Sequence, residues 1–268
     1  MGSGVRPGRA QPGEPSPVEP DFSQEDLIMI RHTQTLDTFK AQHCTQLAIP
    51  LPELPASGKK LLIIGSGGHA AVIFDIVQTY QDVEVIGCAD SNPEKLDSEV
   101  VHGCHVVVQQ KDVLRQCPPE TTALLIAIGD DRTRARVAVD FANMGYAFAS
   151  AVHPSANIGI NSHVGAGVTV MPSAVIGPRC VIGDQAIINT ASLVDHDCRI
   201  GRTSHVAPGA RLGGGAWVGE QTLVGIGSSV NKQIKIGDRA VIAVGCVIIS
   251  DVEDDQKITP EKLGRNCW

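Results

Sequence analysis

Aromatic residues are scarce in this chain, with two Trp, two Tyr and five Phe among 268 residues. A core without bulky rings is filled by small aliphatic side chains, and the 28 glycines point to many tight turns. The glycines keep no three-residue period, which excludes a collagen-like chain. Basic residues are also outnumbered, 22 Lys and Arg against 29 Asp and Glu, for a net charge of −7. No global positive field gathers phosphates and no local basic patch stands out, so the expected partners are small molecules or protein, not nucleic acid. There is no run of 18 apolar residues, and the first twenty residues lack the apolar stretch of a secretory signal. A soluble cytoplasmic protein with no membrane partner is the expectation. The eight cysteines form no C-x-x-C pair and no zinc or disulfide spacing, so they are read as reduced, small apolar fillers, and no metal is expected.

At about 150 residues per domain, the length allows two modest domains. Residues 1–20 hold five prolines and four glycines and almost nothing to bury, a composition that predicts disorder. From Asp21 to about His43 a capped helix is predicted, with Ser23 as N-cap, Asp26 three residues later, and Leu27, Ile28, Ile30, Leu36 and Phe39 as its apolar positions. IPLPELPASG then reads as a linker ending near Gly58. At Lys59 the composition changes. The apolar run Leu61–Ile64 ends in GSGGHA, a helical stretch follows over Ala71–Tyr80, and a second strand, VEVIGCAD, ends on an acid. With a strand near His105–Val108, another at ALLIAIG and a helix over about Arg132–Met144, residues 59–150 read as an α/β half-Rossmann-like domain.

From Val152 every sixth residue is aliphatic: Val152, Ile158, Val164, Val170, Ile176, Ile182, and so on without a break to Ile248. Four residues after each stands Ala, Ser, Thr, Cys or Val, Ile234 excepted. Six is not a multiple of 3.6, so no helix keeps these residues on one face. A parallel β-helix with three hexads per coil does, with the aliphatic residue on the axis and the small residue allowing the turn. Residues 151–253 are assigned to it and 254–268 to a tail. Coils rise about 4.8 Å each, so positions three hexads apart stack, Cys180 and Cys198 among them; these two are read as small fillers, close enough for a disulfide only in principle.

An α/β nucleotide-type domain followed directly by hexapeptide repeats resembles the sugar-nucleotide acetyltransferases of the left-handed β-helix superfamily. The nearest groups are the sialic acid O-acetyltransferases and the UDP-4-amino-sugar N-acetyltransferase of bacterial bacillosamine synthesis. The resemblance is carried by IIGSGGHA (residues 63–70), CAD (88–90), AIGDDRTR (127–134) and INTASLVDHDCRIGRTSHVAPGARLGGG (188–215), within about Lys59 to Asp254. The last stretch is the specific one. What this implies is a left-handed β-helix, acetyl-CoA as co-substrate, a homotrimer with sites between chains, and acetylation of the amine of a nucleotide-linked amino sugar of the UDP-4-amino-4,6-dideoxy type. O-acetylation of sialic acid or a related sugar is the alternative. The same resemblance implies His196 of VDHDC as the base and Asp197 as its support. It places His205, nine residues on, against acetyl-CoA, Asn189 beside the acceptor, and the Gly214 N–H as oxyanion donor. Gly225 and Ile226 join His205 and Gly214 on the cofactor side, and Gly67, Gly68, His69, Asp90, Gly129 and Asp130 match the sugar-nucleotide pocket. Relatives usually end in a G-V-P-A-K element over the CoA adenine. This tail lacks it, leaving Lys257, Lys262 and Arg265 as the cations for the CoA phosphates at that end.

The residue types fit that chemistry. An amine attacks only through a free lone pair, and histidine, with an ordinary pKa near 6.5, is suited to take the proton. Carboxylates on Asp195 and Asp197 would favour the imidazolium. Gly214, three hexads after His196, falls one coil above it, where a glycine lets substrate approach a backbone N–H. His205 lies half a coil away, about 15 Å at extended spacing, so a shared site would need two chains. His153 and His163 are assigned to structure. GSGGHA fits G-x-G-x-x-A with Asp90 ending the next strand, a pattern open to NAD as well, but the second mononucleotide half of a dehydrogenase is missing. A zinc carbonic anhydrase needs a closely spaced histidine pair that VDHDC and SHV do not supply, a β-helix nucleotidyltransferase needs a G-x-G-T-R loop, and a non-catalytic assembly β-helix needs neither DHD nor a glycine pocket.

Overall fold

The computed structural model describes residue 1, the backbone of residues 49–50, and residues 60–80 and 83–260. The chain divides into two units, residues 1–37 and 38–268, and every element below lies in the second. The predicted helix over 21–43 falls outside the described residues, as do Cys44, Lys262, Arg265 and Cys267 and most of the predicted linker, in which only the short strand β1 (Ile49–Pro50) is described.

The first domain is built on β2 (Lys60–Ile64), β3 (Val85–Asp90), β4 (Glu99–Val101), β5 (Cys104–Gln109) and β6 (Thr122–Ile126), in the order β4-β5-β3-β2-β6. All pairs are parallel except β4 with β5. The run Leu61–Ile64 is unbroken because both faces of β2 are covered: Leu61 and Ile63 pack under helix α1 (Gly68–Val77), while Leu62 and Ile64 pack under Val137 and Phe141 of a later helix. A short α2 (Val113–Gln116) precedes β6, and α3 (Asp131–Asn143) follows it. Helix α1 begins at Gly68, three residues before the sequence expectation. Its first turn is Gly-His-Ala, and amides there need no intrahelical acceptor, so glycine at this point does not stop a helix. The neighbours of β2 are reached in opposite directions, β3 through α1 on one side and β6 on the other. The crevice at the carboxyl end of β2 is therefore a topological switch point.

A strand β7 (Ala149–Val152) leads into the coils and pairs with both β1 and Thr169–Val170. Beyond it, two-residue strands stack in three parallel sheets with partners three hexads apart, as in Thr169 with Ile187, Val175 with Leu193 and Val181 with Arg199. This is the left-handed parallel β-helix: the hexad predicted the parallel coil and the resemblance implied its hand. Every aliphatic hexad residue from Val170 to Ile248 is at most 4% exposed, whereas Ile158, with no coil beneath it, is 38% exposed. The last coil is shorter: Ile242 pairs with Ile258 and not with Pro260, the position three hexads on, and the stack runs to Ile258.

The turn is made one position before the small residue. Asn161, Ser173, Arg179, Gln185, Ala191, Asp197 and Thr203 all have φ between 52° and 59° or, for Asp197, 61°, and glycines take the equivalent place at 167, 209 and 215. A left-handed residue costs about 1–2 kcal/mol, and its amide is tied to the coil below, as Asp197 N–H is to Pro178 O at 3.0 Å. The small residue fills the interior instead of making the corner. At 162, 204, 222 and 228 it carries a hydroxyl that bridges coils, as where Ser204 Oγ accepts from Thr222 N–H at 3.1 Å and donates to Gly219 O. Cys180 and Cys198 are buried free thiols, donating to the carbonyls of Asp195 at 2.9 Å and Gly213 at 3.3 Å.

Candidate active site

The glycine turn after β2 contains glycines of two kinds. Gly65 has φ of +110°, and a Cβ there would lie 2.8 Å from the Ala127 carbonyl oxygen, so only glycine fits. At Gly67 and Gly68 a Cβ would meet open space. Gly67 caps α1 with extended backbone and no side-chain bond, and the first turn carries no acid. These two glycines leave the amides of the helix start accessible, an arrangement suited to an anion. At the end of β3, Asp90 accepts from Ser66 Oγ, from Asn92 N–H at 2.8 Å and from Lys95 Nζ at 3.2 Å. Burial opposes ionisation of Asp90, but these donors together hold its carboxyl below the usual range. Lys95 also donates to Ser66 Oγ at 3.1 Å. Sequence reasoning took Gly65 and Ser66 only as part of the GSGGHA motif, with no role of their own, and passed over Lys95; the sole signal for Lys95 was its place in a turn shortly after Asp90. Gly129 is open like Gly67, and Asp130 is the N-cap of α3, accepting from Thr133 N–H at 2.8 Å.

A second cluster lies where this domain meets the coils. Arg134 of α3 is 1% exposed, yet it satisfies its whole fork. Nε donates to Gln185 O at 2.8 Å, Nη1 to Ile128 O at 2.8 Å and Gly129 O at 3.0 Å, and Nη2 to Asp131 Oδ1 at 2.6 Å and to Thr203 O. On the rungs that follow those two corners, Asn189 Nδ2 donates to His205 Nε2 at 2.9 Å. Burial and the Arg134 charge push His69 down to about 4, and burial, Arg134 and His69 push His205 down to about 3, so both imidazoles are neutral at neutral pH. His69 Nε2 is buried and has no hydrogen-bond partner among the described residues. His69 and Asn189, assigned from sequence to the sugar nucleotide, and His205, assigned to acetyl-CoA, thus share one seam. Gly225 is fixed by packing, since a Cβ there would lie 2.5 Å from Ile242 O, and Ile226 stands 52% exposed.

His196 sits at a coil corner on another edge of the prism, after the rung Leu193–Val194. Its Nδ1 lies 2.7 Å from Asp197 Oδ2, and Asp197 is gripped by Arg179 through two bonds of 2.7 Å. The Arg179 bonds, with a smaller contribution from His196, hold the Asp197 carboxyl below its ordinary range despite partial burial. Arg179 was missed, although it stands three hexads before Asp197 and so stacks directly on it. Asp195, expected from sequence to flank the imidazole, turns back to accept from the His196 backbone N–H at 2.7 Å and leaves the ring to Asp197 alone. The same Asx arrangement caps Lys232 through Asn231 two coils on, at 2.9 Å. Between them, Gly214 follows Gly213, which has no side chain, and the Gly214 N–H makes no hydrogen bond among the described residues. A Cβ on Gly214 would lie 2.6 Å from both Cε1 and Nε2 of His196. The imidazole therefore rests on the bare backbone of the next coil.

An α/β domain leading into a left-handed β-helix, with a carboxylate-anchored histidine at a coil corner, defines an acyltransferase of the hexapeptide-repeat kind. Residues 60–141 match the PglD N-terminal domain family. Among solved structures, perosamine N-acetyltransferase from Caulobacter crescentus, in complex with CoA and GDP-perosamine, is 32% identical with a TM-score of 0.67, over 74% of this chain and 92% of that one. The acetyltransferase domain of PglB from Neisseria gonorrhoeae is 29% identical with a TM-score of 0.69, over 74% and 95%. WeeI from Acinetobacter baumannii, at 20% identity and a TM-score of 0.66, shares the fold. The chain belongs to the β-helix sugar-nucleotide acetyltransferases. Among the described residues no helix is long and apolar enough to cross a membrane, and no group of three or more His, Cys, Asp or Glu is placed to hold a metal.

Proposed function

We propose that this enzyme transfers an acetyl group from acetyl-CoA to the amine of a nucleotide-linked amino sugar, of the UDP-4-amino-4,6-dideoxy type, with His196 as general base. The observation that carries this reading is the anchoring of His196. Its Nδ1 is committed to Asp197, its Nε2 has no hydrogen bond among the described residues, and that nitrogen lies over the open backbone of Gly214. The sugar nitrogen attacks the thioester carbonyl carbon while Nε2 takes its proton. The Gly214 N–H donates to the oxygen as it gains charge, and the C–S bond breaks as the imidazolium returns the proton to sulfur. Asp197, kept ionised by Arg179, holds Nδ1 and so leaves Nε2 to the substrate. CoA and GDP-perosamine bound together in a relative support a direct transfer between two bound substrates. His205 serves the acetyl-CoA side and Asn189 the acceptor. The open start of α1 takes the nucleotide phosphates, with Asp90, Gly129 and Asp130 lining the same crevice. Mass spectrometry of products from UDP-, GDP-, dTDP- and CMP-linked amino and hydroxy sugars with acetyl-CoA tests it. One mass increment of acetyl on the amino sugar is expected, and acetylation of hydroxyl acceptors alone would overturn the assignment.

The two kinds of glycine give a paired prediction. Gly68→Val is expected to leave the fold intact, since its Cβ meets nothing, while weakening the sugar nucleotide and sparing acetyl-CoA, as calorimetry with each ligand would read. Gly65→Ala should lower the melting temperature, because its backbone is left-handed and its Cβ strikes Ala127. Equal losses of stability in both would sink the distinction.

His196 and His205 lie on different edges of the prism, which supports sites built between the chains of a homotrimer. His196→Ala and His205→Ala chains, each impaired on its own, are mixed under subunit exchange and assayed below the raised acetyl-CoA KM of the latter; they should regain part of the wild-type rate, because some clefts then take both histidines from different chains. Native mass spectrometry verifies exchange; no recovery with exchange complete would place each site within one chain.

A further inference from the structure

Among the described residues, Arg134 binds both halves of this arrangement with every arm of its fork, and nothing in the reading above uses it. On the domain side its fork holds the carbonyls of Ile128 and Gly129, the loop that also abuts the glycine turn, where Gly65 approaches Ala127. On the coil side it holds the carbonyls of Gln185 and Thr203, three hexads apart on successive coils. Both are left-handed corner residues: Thr203 opens the rung that carries His205, and Gln185 opens the rung Ile187–Ile188, which Asn189 directly follows. The guanidinium thus sets where those two rungs begin relative to each other and relative to the glycine turn. Because Asn189 donates through Nδ2, His205 has to accept through Nε2 and carry its proton on Nδ1. A protonated imidazole would oppose the Asn189 amide, and burial together with the fixed charge of Arg134 works against that state in both His205 and His69. The groups facing His205 are His69 from α1, Arg134 from α3 with Asp131 and Asp130 behind it, and Asn189 from the neighbouring rung.

We propose that Arg134 is a positioning residue for the transfer: it registers the Asn189 and His205 rungs against the glycine-turn domain and so fixes His205 Nε2 as the acceptor of the Asn189 amide. This rests on the reading of His205 as a ligand-facing group on the acetyl-CoA side.

The test uses the full-length protein with Arg134→Lys, which keeps the charge and loses the fork, and with Arg134→Met made together with Asp131→Asn so that no buried carboxylate is stranded. Asp131→Asn alone is the control. Imidazole ¹⁵N shifts of labelled protein are expected to show His205 wholly as the Nδ1–H form in the wild type and the control, and as a mixture of tautomers in both arginine variants. The KM for acetyl-CoA is expected to rise about 10- to 100-fold in the same variants, the scale of a catalytic group misplaced by about an ångström, with calorimetric affinity for the sugar nucleotide within about threefold. If the variants fold and the tautomer stays single, Arg134 does not position His205. A drop in melting temperature with equal losses for both substrates would mark a purely structural residue and also overturn the proposal. Should His205→Ala leave the KM for acetyl-CoA unchanged, the reading of His205 fails instead, and the tautomer measurement alone decides the role of Arg134.

Discussion

Replacing His196 with alanine is expected to lower kcat by about 10²- to 10⁴-fold, the usual cost of losing a general base, with little change in melting temperature. The side chain is 53% exposed and packs into no core, so its removal leaves no cavity. Nor does it strand a charge, because Asp197 keeps both bonds to Arg179. The acetyl-CoA and sugar-nucleotide affinities should change little, since the ring acts on the proton that moves and not on the parts of either substrate that bind. A loss below tenfold, measured at saturating substrates, would remove His196 from the role of base.

The second large effect is expected from Gly214→Ala, at about 10²-fold in kcat, the scale for misplacing a catalytic group by about an ångström. One methyl group causes it. The new Cβ would lie 2.6 Å from Cε1 and Nε2 of His196, closer than carbon atoms approach, and the exposed ring is free to yield by swinging outward. Its bond to Asp197 then breaks and Nε2 leaves the place above the Gly214 amide. Gly214 is not among the positive-φ residues, so alanine strains no backbone and the melting temperature should hold. The imidazole displacement is visible in ¹⁵N–¹H spectra independently of activity. Wild-type kcat in this variant would show that the ring position does not matter.

These outcomes bear on parts of the site that differ in how far the sequence disclosed them. The hexad gave the coil length, and the coil length gave the stacking of Gly214 on His196 before any coordinates. It would equally have given Arg179 from Asp197, by stepping back three hexads. Asp195 was misjudged because sequence proximity to an imidazole is not orientation: a short side chain directly after the rung bonds the next amide, while Asp197, in the left-handed corner conformation, faces the ring and Arg179. The glycines of GSGGHA were read as one motif, yet Gly65 answers to sterics and Gly67 and Gly68 to access, a difference set by Ala127, far along the chain in the loop after β6.

The coil of the periodic half follows from the sequence pattern, because a six-residue aliphatic repeat is local and fits a parallel β-helix but no α-helix. So does the βαβ opening, through an apolar strand, a glycine turn and a terminal acid all close together in the chain. What lies across the junction between the two was settled by three-dimensional packing. Arg134 reaches carbonyls that carry no sequence signature, and it helps draw His69, Asn189 and His205 from three separate segments into one half-buried seam, where desolvation and a single shared charge keep both imidazoles neutral. Backbone acceptors are the same at every residue, so which of them a buried arginine meets is fixed by packing and not by any pattern along the chain.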